Sequence, residues 1–467
     1  MTARLLKFYH CLPPHLRSAA ATLRGWYLNR WRYGPDSDAL MEEAQERDRW
    51  SAAQWDTWLA ERLAYVLHRA ATRVPFYREH WAGRRRRGDR ASWDLLKNWP
   101  LLEKDAVRAN PRAFLADDCD PRRMYHEHTS GTTGTPIEIW RSRTTTATLH
   151  AIADARTRGW DGIPATARWA RLGGQLVTPV QRRRPPFWVW NAAMRQLYLS
   201  SYHLAPDLIP HYLDALAQYR IVYMAGYPSA LHALAHEAMR QERLDLQMTA
   251  IYTNAEPFSA EQRQLVRTAF HCAVRETYGM AEAVAAASEC SAGRLHQWPE
   301  FGHIEIRDSG EMVCTGLLNP DMPLIRYRVG DRGQRPMGAP GGPCPCGRSL
   351  PVLGPIEGRT NDVLVTQDGR QAARVGAVFT GLPVRHSQIV QEALDLLIVL
   401  VAPAPEFGES HEQLIVERLQ QRMGAVRVQI ERVSEVPRTS NGKLRAVVSR
   451  LSPAERAAAL DRGAVPA

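Results

Sequence analysis

The segment His128-Thr129-Ser130-Gly131-Thr132-Thr133-Gly134-Thr135-Pro136 gathers hydroxyls and glycines in one short stretch. Gly131 and Gly134 permit tight bends, so successive backbone N–H groups can converge on a single anion. The hydroxyls of Ser130, Thr132, Thr133 and Thr135 add donors to the same concavity. This is the equipment of a phosphate-binding loop. It has no GK[ST] ending and runs into strand-like Ile137-Glu138-Ile139-Trp140, so it is not a Walker-type loop. A polar surface turn is the plainer alternative, but a chance SGTTG in a chain this long has odds on the order of one in a thousand.

Two further groups stand out. Seven cysteines are an odd number for a disulfide framework, but Cys344-Pro345-Cys346 carries two thiolates in C-x-C spacing. Cys290 and His296, on a neighbouring loop, could complete a tetrahedral site for a borderline-soft ion such as Zn2+. Four ligands would leave no position for water, so such a zinc would be structural. Reduced cysteines in a Gly/Pro-rich loop are the alternative. The third group is Pro437-Arg438-Thr439-Ser440-Asn441-Gly442-Lys443. Only four of the 60 basic residues are lysines (Lys7, Lys97, Lys104 and Lys443), so a lysine at this loop tip asks for a specific reason beyond solvation.

The elements that must position these groups follow from length and pattern. At 467 residues, with 45% hydrophobic and 23% charged residues, the chain is an ordinary globular protein of more than one folding unit. Runs at 220–226, 248–254 and 273–278 read as buried strands, with helices near 229–243 and 259–270 between them. That alternation predicts an α/β body around a largely parallel sheet. Residues 303–306 and 311–315 flank a hairpin turn, and helices fill 36–82. Past Gly358 the pattern predicts a small α+β lid: strands at 362–366, 394–401 and 426–433, and a helix near 409–423.

The boundaries expected are an N-terminal basic, aromatic extension (1–35), a large domain (36–357) with a zinc-binding insert at about 288–348, and a lid domain (358–467). Residues 17–32 would form a basic amphipathic helix, either packed on the body or offering Leu23, Trp26, Tyr27 and Trp31 to a membrane or protein partner. The arginine run 84–87 reads as a solvated loop. No apolar run is long enough to span a bilayer and the N-terminus is a poor secretory signal, which predicts a cytoplasmic protein, with the inner membrane face as a second location. The net charge of +11 favours anionic partners. Nucleic acid is not expected among them, because the arginines are scattered and no recognition motif is present.

The phosphate-loop segment resembles that of the acyl-adenylate-forming superfamily, in the branch of phenylacetate–coenzyme A ligases and CapK-like capsular-polysaccharide proteins. Further matches follow in order: Gly226-Tyr227-Pro228-Ser229, Asn254-Ala255-Glu256-Pro257, Tyr278-Gly279-Met280-Ala281-Glu282, Tyr327-Arg328-Val329-Gly330-Asp331, Gly358-Arg359-Thr360-Asn361-Asp362 and the Lys443 loop. The resemblance implies a large α/β AMP-binding body with a mobile lid, and a role for each match. Ser130, Gly131, Thr132, Thr133, Gly134 and Thr135 hold phosphate, with Thr132 counted as catalytic. Asn254, Ala255, Glu256, Tyr278, Gly279 and Arg359 surround the nucleotide, and Asp331 accepts from the ribose hydroxyls. Glu282 holds Mg2+, Lys443 reaches the α-phosphate and the carboxylate, and Asn361 or Asp362 is the hinge. Tyr227, Pro228 and Ala283 line the acyl pocket, and the C…LH…CPCGR pattern matches members with a structural zinc.

By that resemblance a small-molecule carboxylic acid, aryl or otherwise apolar, reacts with ATP and is passed to an acceptor, the coenzyme A thiol first. Thr366-Gln367-Asp368-Gly369-Arg370-Gln371 departs from the glycine-containing turn associated with thioester formation. This keeps an amine or a carrier thiol open as the acceptor. A fold that has lost its chemistry is the remaining rival, against which Glu282, Asp331 and Lys443 stand intact.

Overall fold

The computed structural model describes residues 3–129, 136–243, 245–254, 258, 260–308, 310–334, 344–357, 364–372, 375–434, 436–437 and 447–462. At its centre is an eight-stranded sheet in the order Leu295–Gln297, Ala286–Glu289, Ala273–Gly279, Ala250–Thr253, Tyr223–Gly226, Trp169–Gly173, Gln196–Ser200, Val189–Asn191. The run from Ala273–Gly279 to Gln196–Ser200 pairs in parallel, and the outer strands pair antiparallel. The α/β expectation holds, and the three strands read from sequence lie within a few residues of their expected limits.

Alternation along these strands gives the two faces different work. Ala170, Leu172, Met224 and Ile251 are buried against the cluster formed with helices Ile209–Gln218, Pro228–Arg240 and Ala260–Phe270. Trp169, Arg171, Tyr223 and Ala225, at the intervening positions, stay half-buried and line a cleft. A second, antiparallel sheet runs Gly302–Ile306, Glu311–Gly316, Tyr327–Gly333, Ile356–Glu357, and its first pair is the expected hairpin. It packs so closely on the main body that a Cβ at Gly302 would lie 2.0 Å from the Val284 carbonyl oxygen. Helices Ala52–Arg73 and Pro75–Arg86 close its core, burying Val66, Leu67, Tyr77 and Trp81.

One expectation needs correction. Residues 84–86 form the last turn of helix Pro75–Arg86, not a loop. Cations suit a helix C-terminus, and Arg84 is anchored to Asp89 (2.6 Å) and the Asn98 carbonyl (2.5 Å). Helix Pro14–Arg32, expected over 17–32, packs on the body, as one of its two readings had it: its inner face covers the edge strand Val189–Asn191. Ser18 Oγ accepts from Trp190 N (3.2 Å), Thr22 Oγ1 accepts from Ala192 N (3.1 Å), and Asn29 donates to the Ala193 carbonyl (2.7 Å). Gly25 sits on Asn191 with no room for a Cβ.

The C-terminal sheet runs Arg427–Arg432, Leu396–Pro403, Val384–Ala393, Val447–Ser449, with helix Glu409–Met423 packed through Ile415, Leu419 and Met423. Strand Val384–Ala393 was not anticipated. It buries Ser387, Gln388 and Gln391, so polarity hides it, and the Gln391 amide bridges to both the N–H (3.1 Å) and the carbonyl (2.5 Å) of Val365. The unit docks on the body through Arg370, which donates to the Tyr202 carbonyl at 2.7 Å.

Candidate functional site

A cleft of about 1700 Å³ opens where the carboxyl ends of the parallel strands meet the antiparallel sheet. Open α/β sheets hold ligands outside their strand ends because backbone donors and side chains converge there. Asn254 follows Ala250–Thr253, and Tyr278 and Gly279 end Ala273–Gly279; all three line the cleft. So do Glu282 and Asp331. The volume exceeds what one small ligand needs and accommodates a nucleotide with a second reactant.

The acidic groups are held firmly. After Gly279 the chain turns instead of entering a helix, with Ala283 N–H donating to the Met280 carbonyl at 3.0 Å. Ala283 has φ +53°, a left-handed conformation costing about 1–2 kcal/mol for a residue with a Cβ. Strain of this kind persists where surrounding contacts over-determine it. It leaves Glu282 9% exposed, with Oε1 accepting from the Tyr327 hydroxyl at 2.8 Å. The Tyr278 hydroxyl donates to Asp331 Oδ2 at 2.9 Å. One oxygen of each carboxylate is thus spent on orientation.

Strands Tyr125–His128 and Glu138–Arg141 pair on either side of residues 130–135. Thr129 N–H donates to the Ile137 carbonyl and Ile137 N–H to Thr129 Oγ1, both at 2.9 Å, and both residues line the cleft. Arg141, 3% exposed, pairs with Glu127 at 2.6 Å and donates to the Ala281 carbonyl, tying this hairpin to the Glu282 turn. Burial lowers the His128 imidazole, helped by neighbouring His126, and burial pushes His150 well below its ordinary value. Both line the cleft.

Ser130 to Thr135, Ala255, Glu256, Arg359, Asn361, Asp362 and Lys443 lie outside the described residues. Tyr227, Pro228 and Ala283 are not brought to the cleft. Tyr227 and Pro228 are buried at the start of helix Pro228–Arg240, Tyr227 in the sheet core, and Ala283 packs with Ala44, Ile152 and Phe301. Apolar residues beside a motif satisfy a core as readily as a pocket. The aromatic lining includes Trp169 and Tyr223, stacked 5.7 Å apart, and Tyr252. Period-two alternation in Trp169–Gly173 and Tyr223–Gly226 was the signal for Trp169 and Tyr223. Lys104, which lines the cleft with Nζ 5.7 Å from the Tyr327 ring, was also missed.

Cys290, His296, Cys344 and Cys346 gather with all ligand atoms within 4.8 Å of one another. The hairpin Ala286–Glu289/Leu295–Gln297 supplies the first two, and Gly347, at φ +81°, closes the C-x-C turn by donating to the Cys344 carbonyl at 2.8 Å. A tetrahedral ion with usual Zn–S and Zn–N bonds sets S···S near about 3.8 Å and N···S near about 3.6 Å. Cys290 and Cys344 sulfurs are 3.8 Å apart, and His296 Nε2 is 3.5 Å from Cys346 Sγ. His296 Nδ1 is 2.9 Å from the Leu350 carbonyl, which fixes Nε2 as the lone-pair nitrogen. The donor set fits zinc.

The profile of the AMP-binding enzyme family matches residues 55–341, and that of the CapK C-terminal domain matches 364–450. The chain is 23% identical to Protein CapK of Staphylococcus aureus over 379 residues, covering 76% of this chain and 80% of that protein. It is 24% identical over 436 residues to a phenylacetate–coenzyme A ligase of Thermus thermophilus, covering 83% and 95%. Among solved structures, 2-hydroxyisobutyryl-CoA ligase in complex with 2-HIB-AMP and CoA shares the fold at TM-score 0.54 and 21% identity, covering 86% of this chain and 91% of that one.

Proposed function

The chain belongs to the AMP-binding enzyme family, in its CapK- and phenylacetate–coenzyme A ligase-like branch, and on that premise we propose that it joins an aryl or other apolar carboxylic acid to coenzyme A through an acyl-adenylate. The observation that carries this reading is one cleft lined by Asn254, Tyr278, Glu282 and Asp331 and flanked by Thr129 and Ile137. A substrate carboxylate oxygen bonds to the α-phosphorus of ATP as the bond to the β-phosphate oxygen breaks and pyrophosphate leaves. The acceptor thiol then attacks the acyl carbon, loses its proton to solvent, and releases AMP.

The hydroxyls and amides of Ser130 to Thr135 cradle phosphate, and Lys443 offsets the charge that builds on the α-phosphate and carboxylate oxygens. Asp331, oriented by Tyr278, accepts from the ribose diol, and Asn254, Ala255, Glu256 and Arg359 complete the nucleotide contacts. Glu282, oriented by Tyr327, is the hard oxygen ligand that would hold a magnesium ion, which when bound would supply positive charge to offset that of the phosphates. Trp169, Tyr223 and Tyr252 give the acid an aromatic wall. The lid, 358–467, turns about Asn361 or Asp362 between the two half-reactions. One structural zinc on Cys290, His296, Cys344 and Cys346 is supported by the ligand spacing.

A second acceptor reading, an amine, has one observation in its favour. The turn Thr366–Arg370 is committed to docking: Arg370 is 3% exposed and reaches the Tyr202 carbonyl, and Asp368 faces Arg183 at 3.4 Å. ATP–pyrophosphate exchange across a panel of aryl and aliphatic acids tests the first half-reaction. Lys443→Ala should lower it roughly 10²–10³-fold, the scale of losing one oxyanion donor. Near-normal exchange in that variant overturns the assignment. Product analysis with coenzyme A and with amines separates the two acceptors.

A further inference from the structure

We propose that the outer face of helix Pro14–Arg32 is a docking surface for an anionic lipid bilayer. Among the described residues, six of the eight large hydrophobics left exposed fall in one short stretch: Phe8, Leu16, Leu23, Trp26, Tyr27 and Tyr33. Scattered single apolar residues are normal on a surface, but four of them on helix Pro14–Arg32 mark a contact. Leu23 is 72% exposed, Trp26 65% and Tyr27 54%. Leu16, Leu23, Tyr27 and Arg30 recur at helical spacing on one face, and Trp26 beside them widens the stripe. The opposite face, through Ser18, Thr22, Gly25 and Asn29, is fully used in clamping the edge strand. The exposed side is therefore not an undocked core face.

Charge selects the occupant. The first 35 residues contain six Lys or Arg and no Asp or Glu. Arg24 and Arg30 are exposed with the aromatic residues. A second copy docked through the same helix would bring these cations together with no acid in the segment to answer them. Anionic headgroups answer them directly, while Trp and Tyr rings suit the headgroup level and Leu the acyl boundary. No described helix is long and apolar enough to cross a membrane, so the contact is peripheral. Asn29, Arg32 and Tyr33, at the end of the same helix, line the cleft. Docking thus sets that wall of the cleft within about two helical turns of the lipid. The inference does not depend on which acid or acceptor is used.

The test is co-sedimentation of the full chain with phosphatidylcholine vesicles, with and without phosphatidylglycerol. Wild type should bind only the phosphatidylglycerol vesicles and release as salt rises. Leu23→Asp/Trp26→Asp should reduce the bound fraction about tenfold. Arg24→Glu/Arg30→Glu, a purely surface change, should abolish the preference for anionic vesicles even if the first variant folds poorly. Neither pair lines the cleft, so ATP–pyrophosphate exchange in solution should stay at the wild-type level. Wild type that ignores anionic vesicles, or charge-reversed protein that binds them as well as wild type, overturns the proposal. So does a wild-type dimer, seen by light scattering, that Leu23→Asp/Trp26→Asp converts to monomer.

Discussion

The cysteine–histidine cluster and the cleft share the same strands yet answer opposite demands. Tyr278 of the cleft pairs with Ala287, and the next residue along that strand, Ser288, pairs with His296 of the cluster. The cluster is closed: three sulfurs and one nitrogen face each other, and the remaining nitrogen of His296 is taken by the Leu350 carbonyl. The cleft is open. Glu282 and Asp331 each give one oxygen to a tyrosine and line a space large enough for a nucleotide and a partner. A site that stabilises must exhaust its ligands internally, whereas a site that reacts must present oriented groups to the substrate.

The difference can be broken from either side. Cys344→Ser should give the largest effect: zinc content near zero instead of about one per chain, and a stability loss of several kcal/mol. In the folded remainder the KM for ATP should stay within about threefold, because the cluster contributes no ligand to the cleft. Metal analysis, thermal melting and steady-state kinetics check this. Glu282→Gln should do the reverse, leaving zinc and melting temperature unchanged while adenylation falls roughly 10²–10³-fold in pyrophosphate exchange.

Protonation sharpens the contrast at a third buried polar site. Burial pushes the His203 imidazole down to about 4, despite its contact with the Pro179 carbonyl. The unfolded chain takes up this proton near pH 6.5, while the folded chain resists until about pH 4. Stability is therefore fully present above pH 6.5 and lost as pH falls toward 4, by roughly 2–3 kcal/mol. Urea unfolding of wild type and His203→Gln at pH 7.5 and 4.5 should show that dependence in wild type and a flatter one in the variant. The smallest change expected is in Tyr327→Phe. Losing the hydroxyl that orients Glu282 should raise the magnesium requirement for exchange about tenfold, within the range for one hydrogen bond to a charged group.

What could be read from sequence follows the same division. The convergence of polar residues was legible because their types are few: Glu282, Asp331, Tyr278 and Asn254 line one cleft, and Cys290, His296, Cys344 and Cys346 gather in one cluster. The placement of apolar residues was not, since Tyr227 and Ala283 obey the same burial rule in a core as in a pocket. Strand Val384–Ala393 escaped because its buried glutamine replaces the expected hydrophobic signal. Arg141, which ties the loop-bearing hairpin to the Glu282 turn, was one of many arginines and carried no local mark.

The account rests on Glu282 and Asp331 serving one nucleotide. A crystal structure with a non-hydrolysable ATP analogue and Mn2+ tests this most directly. The prediction is an anomalous manganese peak at a Glu282 carboxylate oxygen, with the ribose hydroxyls on Asp331 of the same molecule. A nucleotide bound elsewhere, or one in the cleft whose metal and ribose avoid both carboxylates, would contradict it.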